Sequence, residues 1–312
     1  MTAAEIRSGE RIMAKIKIMC TSTGCIEYAP ERYHNMGIGI IRIHVLFDGK
    51  EYKEGLDLDP VEFYRKLETI DDPKNHLPST ALPDTEDIRS AFDDAVKDGY
   101  DECIVFTLSS ALGGTYNKIC LIAREYEDRI RIHVVDTKIT CFGEGLLAIK
   151  AAEFAQKGMS SEEILKEIAW MMRRQVFIGV DGKLDYLIYN GRLKGGKAFI
   201  GQMLNICPVV HFSADGEIVA LESVRTPKKA LARTCELLKD IIGDRSPEDY
   251  LLWHVYTGPS LIATLREIEG RYGIQTNHEA VIMSPVSGCH NGPLLAGYGL
   301  AFLRRHDESP ED

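Results

Sequence analysis

Along the first half of the chain, short apolar runs alternate with amphipathic stretches. Residues 16–19, 39–47, 102–108 and 130–135 form runs of four to nine residues, rich in β-branched side chains, the pattern of strands. Between them the period changes to that of helices. One helix is predicted from Thr85, with Glu86 and Asp87 in its first turn, Ile88, Ala91, Phe92 and Ala95 following, and a stop at Gly99. A second follows Gly114 and carries Tyr116, Ile119, Cys120 and Ala123 on one face. Strand, helix, strand at this spacing predicts an N-terminal three-layer α/β/α unit around a mostly parallel sheet. Two further helices are predicted over 143–157 and 160–174. The latter opens on a capping box, Ser160-x-x-Glu163, and shows an Ile164, Ile168, Met171 stripe.

The second half has a different texture. Asp215-Gly216 separates the apolar runs 209–212 and 218–221, a hairpin signal that requires antiparallel pairing. Helices over 227–240 and 259–271, a strand over 251–256 and a strand-like run at 280–283 complete a C-terminal two-layer α/β unit with a mixed sheet. At 312 residues the chain is about twice a usual domain, and a boundary near 173–175 divides it into 1–173 and 174–312.

Hydrophobic residues make up 45% and charged residues 27%, enough apolar material for a large core and too much for a disordered chain. No uncharged apolar run approaches the ~20 residues of a membrane span. Residues 1–15 mix Glu5, Arg7, Glu10 and Arg11 without an apolar block, unlike a secretory leader, so a cytoplasmic location is expected. The net charge of −10 opposes nucleic acid binding. None of the eight cysteines forms a Cys-x-x-Cys pair, so reduced, mostly buried thiols are expected. Cys20, Cys25 and His34 match no metal-ligand spacing, and neither metal nor cofactor is expected.

Phosphate-loop, dinucleotide, zinc-protease and nucleophile-elbow motifs are all absent from the sequence. Four segments remain as candidates. Residues 108–116 join a strand end to a helix start and contain Ser109, Ser110, Gly113, Gly114 and Thr115. Free N–H groups and hydroxyls there make either an anion site or a merely capped turn. Residues 78–83 form a proline-bounded loop containing Thr80. In 287–293, His290 lies between glycines on a backbone able to approach a ligand, whereas His44, His133, His211 and His254 alternate within strands as structural or surface residues. Finally, Arg192, Lys194 and Lys197 surround glycines within 186–197, followed by 200–206, and suit an anion, a partner or plain solvent. Arg225 with Lys228 and Lys229 is a similar basic cluster.

Taken in order, these segments resemble the DegV family of bacterial fatty-acid-binding proteins. The likeness is carried by Thr80-Ala-Leu-Pro83, Ser109-Ser-Ala-Leu-Gly-Gly-Thr-Tyr116, Asn190-Gly-Arg192, Arg225-Thr-Pro-Lys-Lys-Ala230 and Gly288-Cys-His-Asn-Gly-Pro293, with Glu51-Tyr-Lys-Glu-Gly-Leu-Asp57 upstream. The chain departs from the pattern where Thr21-Ser-Thr23 replaces an Asp-Ser-Thr, where Ala81 and Leu82 replace Ser and Gln, and where Gly113 replaces a Ser.

The resemblance implies a long-chain fatty acid held between the two domains, its carboxylate bound by Thr80, Ser109 or Ser110, and His290. Gly113, Gly114, Thr115, Arg192 and Arg225 would support the site or touch a partner. It further implies a non-catalytic subunit that presents the acid to a fatty acid kinase catalytic subunit for acyl phosphate formation in phospholipid synthesis. A protonated His290 would add a charge-assisted hydrogen bond to an ionised acid. Two enzymes stand as alternatives, a hydrolase pairing Ser110 with His290 and a phosphotransferase acting on a small ligand, and a lipid sensor as a third.

Overall fold

The computed structural model describes residues 14–70, 76–195, 206–305 and 308–309. The chain begins with β1 (Ile16–Thr21), β2 (Gly39–Ile41), β3 (His44–Phe47), β4 (Lys50–Lys53), α1 (Pro60–Glu68) and β5 (Ser79–Ala81). It continues through α2 (Thr85–Lys97), β6 (Glu102–Thr107), α3 (Thr115–Ala123), β7 (Arg131–Asp136), α4 (Phe142–Gln156) and α5 (Ser161–Met172). Then come β8 (Gln175–Asp181), α6 (Asp185–Tyr189), β9 (Cys207–Phe212), β10 (Ile218–Val224) and α7 (Pro227–Ile242). The described fold closes with β11 (Tyr250–Tyr256), α8 (Pro259–Glu269), β12 (Val281–Ile282), α9 (Pro285–Asn291) and β13 (Leu295–Phe302).

A parallel sheet in the order β2-β1-β6-β7 forms the N-terminal region. Its inner strand β6 is buried on both faces, as a parallel strand between helix layers must be. Cys103 and Val105 pack with Ile88 and Phe92 of α2 and Ile119 of α3, while Ile104 and Phe106 pack with Leu146 and Ile149 of α4. Both halves of the Ser160–Glu163 capping box form, and α5 buries Ile164, Ile168 and Met171.

The C-terminal region carries a mixed sheet ordered β10-β9-β8-β13-β11-β12, all antiparallel except the β11–β12 edge. Helices α7 and α8 cover one face through Leu231 and Leu265. Toward the other face lies α4, which is apolar nearly all round because it packs between the two sheets. Phe142 at its start meets Trp253 of β11 edge to face, with ring centroids 5.3 Å apart.

One feature differs from the sequence expectations. Residues 39–47 do not form one strand: β2 joins the parallel sheet, whereas β3 becomes the centre of a separate antiparallel sheet, β4-β3-β5. The break falls at Arg42-Ile43. The Arg42 guanidinium is drawn to Glu27 and the Glu54 carbonyl, and the Ile43 N–H donates to Ser22 Oγ rather than to a strand. Residues 285–291, which the sequence pattern left without an assigned element, form helix α9. Ser284 caps α9 through the Ser287 N–H, Pro285 occupies the first turn, and Gly292 ends the helix at φ +71°.

All eight cysteines are free thiols. No helix among the described residues is long and apolar enough to cross a membrane.

Candidate functional site

The carboxyl ends of β6 and β7 face the mixed sheet, and a cavity opens where these elements meet β5 and α9. Thr80, Ala81 and Leu82 line it from one side, Leu108, Gly113, Gly114 and Thr115 from the β6–α3 turn, and Arg192, Ser287 and His290 from the C-terminal region. It holds about 680 Å³ of empty space, part of it open to solvent. A second, tighter cavity, about 450 Å³ counting space open to solvent, shares Thr140, Ile218 and Asn291 with the first and is lined by Phe177, Val210, Trp253 and Val255. Together the two offer a partly polar mouth and a mainly apolar interior.

His290 is positioned by everything that holds α9. The buried Glu54 carboxylate accepts the Val286 N–H, and Tyr64 Oη donates to the carbonyls of Met283 and Ser284, each at 3.0 Å. Gly288 is required here, since a Cβ would run into the Tyr64 ring. With the helix so fixed, His290 Nε2 lies 3.2 Å from Thr80 Oγ1 on β5. The other ring nitrogen, Nδ1, is buried and has no hydrogen-bond partner. Burial, reinforced by the nearby Arg192 charge, pushes the imidazole down to about 3. His290 is therefore neutral at pH 7 in the lipid-free protein. The positive charge at the mouth belongs to Arg192, whose guanidinium is braced by the carbonyls of Leu112 and Asn190.

The remaining sequence candidates fall into two groups. Gly113, Gly114 and Thr115 do line the cavity, at the start of α3. A Cβ at Gly113 would meet nothing within 4 Å, so the glycine leaves room where a serine would project. The paired serines are occupied elsewhere. Ser109 Oγ donates to the Gly216 carbonyl at 2.8 Å and pins the β9–β10 turn onto the end of β6. Ser110 donates to Asp136 through both its hydroxyl and its N–H. Neither serine bonds His290, so the Ser110–His290 pairing of a hydrolase does not form. Arg225 is exposed just beyond β10, roughly 20 Å along the strand from Ile218 at the cavity. Lys194 pairs with Glu217, and Lys197 with 200–205 lies outside the described residues.

One buried titratable group was not singled out in the sequence. Glu144 rises from α4 to the Thr21-Ser-Thr23 segment, which itself has no carboxylate. Its Oε2 accepts from Thr23 Oγ1 at 2.7 Å, and its Oε1 bonds Thr21 Oγ1 and accepts from Cys20 Sγ. Complete burial raises the carboxyl to about 8 in spite of these bonds. A folded acid held above its ordinary 4.5 keeps a proton that the unfolded chain releases, so stability falls as pH rises between about 4.5 and 8. Glu144→Gln is expected to flatten that fall by on the order of 1–2 kcal/mol, read from denaturant midpoints at pH 5 and pH 8.

The geometry has counterparts among known proteins. Residues 15–302 match the model of the DegV family, described as uncharacterised proteins. A DegV domain-containing protein of Clostridium acetobutylicum is 31% identical over 285 residues, covering 91% of this chain and 98% of that one. Protein DegV of Bacillus subtilis is 31% identical over 259 residues, 82% of this chain and 89% of its own. Among solved structures, a fatty acid binding DegV family protein from Streptococcus agalactiae superposes with a TM-score of 0.83 at 27% identity, over 93% of this chain and all of that one. The fatty acid binding protein DegV of Bacillus subtilis gives 0.78 at 28% identity, over 93% and 99%. With both the family pattern and the full-length fold in place, this chain belongs to the DegV family.

Proposed function

We propose that this chain binds a long-chain fatty acid along the path from Thr80 and His290 to Phe177 and Trp253. The observation that carries it is a neutral, half-buried histidine paired with Thr80 at the partly polar mouth of a cavity whose interior is mainly apolar. With Nδ1 buried, His290 Nε2 and Thr80 Oγ1, 3.2 Å apart at the mouth, are the groups offered to a carboxylate, and Arg192 supplies the charge. The fatty acid binding of the Streptococcus agalactiae and Bacillus subtilis relatives supports the same ligand class.

Affinity resides in the tail. A dozen methylenes contribute about 10 kcal/mol of transfer free energy before the costs of binding, so the polar mouth needs only to keep the carboxylate from being buried unsatisfied. The head lies at the solvent-open end beside the exposed Leu82, where a separate kinase could reach it. We assign the chain the role of a presenting subunit: phosphoryl transfer to the carboxylate needs an in-line approach by a nucleotide that the partner holds.

Protein purified from a bacterial host, denatured and extracted, should yield one fatty acid per chain by mass spectrometry. No extractable lipid, together with no uptake of added fatty acid, would end the proposal. Acyl phosphate should then form from ATP only when a fatty acid kinase subunit is added. Its formation by this chain alone would make it the enzyme.

A further inference from the structure

On the outer side of the Thr80 strand lies a cluster unrelated to the lipid path. His44 sits at the centre of the β4-β3-β5 sheet, directly opposite Lys53 on one neighbour and Ala81 on the other. Its side chain is only 4% exposed. Nδ1 is held by Glu51 Oε1 at 2.6 Å. Nε2 is buried, makes no hydrogen bond, and points at Asp84 Oδ2 from 3.5 Å. Asp84 precedes the first turn of α2 but does not cap it, leaving its carboxylate turned to the histidine. One turn on, Asp87 completes the group, and ligand atoms of His44, Asp84 and Asp87 all lie within 4.8 Å of one another.

We propose that His44, Asp84 and Asp87 form a site for a divalent transition-metal ion of the zinc class, with Glu51 as the carboxylate that orients the histidine. A tetrahedral ion bound at about 2.1 Å sets its ligands about 3.4 Å apart, close to the His44–Asp84 separation. A carboxylate on the far ring nitrogen is the usual support for a metal-binding imidazole, fixing Nε2 as the ligand atom. One imidazole with two carboxylates suits zinc better than magnesium or calcium, which prefer oxygen throughout. The cation now balancing these acids is the Lys53 ammonium, 2.6 Å from Asp87 and 3.9 Å from Asp84. A metal ion would displace it into solvent, since Lys53 is more than a third exposed. An ion here ties α2 to the sheet that carries Thr80, yet the site stands whether or not the cavity holds a lipid.

The test is calorimetric titration of chelator-stripped, reduced protein with zinc chloride alone. The wild type should show one site that Asp87→Asn weakens by at least about tenfold and Glu51→Gln by about 10- to 100-fold. Lys53→Met should tighten it, because the competing ammonium is gone, a gain that a merely structural cluster would not show. Zinc should raise the melting temperature of the wild type and of Lys53→Met, but not of Asp87→Asn. Asp93→Asn, on the same helix but paired with Arg129, should bind as the wild type does. Absence of a zinc site in the wild type, or a site unaffected by Asp87→Asn and Lys53→Met, overturns the assignment.

Discussion

Replacing Ile218 by tryptophan should cut long-chain fatty acid affinity by roughly a thousandfold or more while leaving the protein folded. Ile218 stands at the passage between the two cavities, one of three residues common to both linings. It opens β10, two residues beyond the turn that Ser109 pins, so its backbone is fixed on both sides. An indole there fills the passage. A tail stopped at this point loses about half a dozen buried methylenes, each contributing about 0.8 kcal/mol, hence on the order of 5 kcal/mol. By comparison, overpacking costs the fold only about 1–3 kcal/mol. Displacement of a fluorescent fatty acid measures the first effect and thermal unfolding the second. Undiminished affinity in a folded variant would show that the acyl chain takes another route.

Much of the frame could be anticipated, for physical reasons that are visible residue by residue. Ile104-Val-Phe106 is apolar on successive positions because β6 has helices on both faces, and α2 shows its period because one side is wet. What stayed hidden depends on contacts distant in sequence. Strand β13 lies at the heart of the mixed sheet, yet Gly297 and Gly299 disguise it. Those glycines answer neighbours: a Cβ at 297 would strike the Ile178 backbone, and one at 299 would enter the Trp253 indole. The split of residues 39–47 likewise follows from Ser22, Glu27 and Glu54, none of them local.

The same distinction separates the site residues. Thr80 and His290, 210 positions apart, do meet, because β5 and α9 pack together. Ser109 and Ser110 share their sequence setting with anion-binding turns but are drawn off by Gly216 and Asp136. Glu144, for its part, sits in a helix with no motif around it, and only the fold brings it to Thr21 and Thr23. A motif identifies donors and acceptors; tertiary structure decides which of them are still unpaired.

His290→Ala should weaken binding of the acid by about 10- to 100-fold and leave binding of its methyl ester nearly unchanged. A hydrogen bond to an ionised carboxylate contributes about 1.5–3 kcal/mol, whereas an ester carries no charge to satisfy. His290→Gln keeps an N–H and should recover part of the loss. The neutral state of the ring also fixes the pH response. Because the free protein holds His290 near 3, its ionisation does not change between pH 6 and 8, and affinity should be flat across that range. An imidazolium-dependent site would instead lose affinity as pH rises through the ordinary histidine value of about 6.5. Calorimetric titrations of acid and ester at pH 6, 7 and 8 separate the cases. A steep loss between pH 6 and 8 would mean that the bound carboxylate draws a proton onto His290, shifting the charge at the mouth away from Arg192 alone. Flat affinity that falls equally for acid and ester in His290→Ala would remove the histidine from the head-group site and leave Arg192 and Thr80 to hold it.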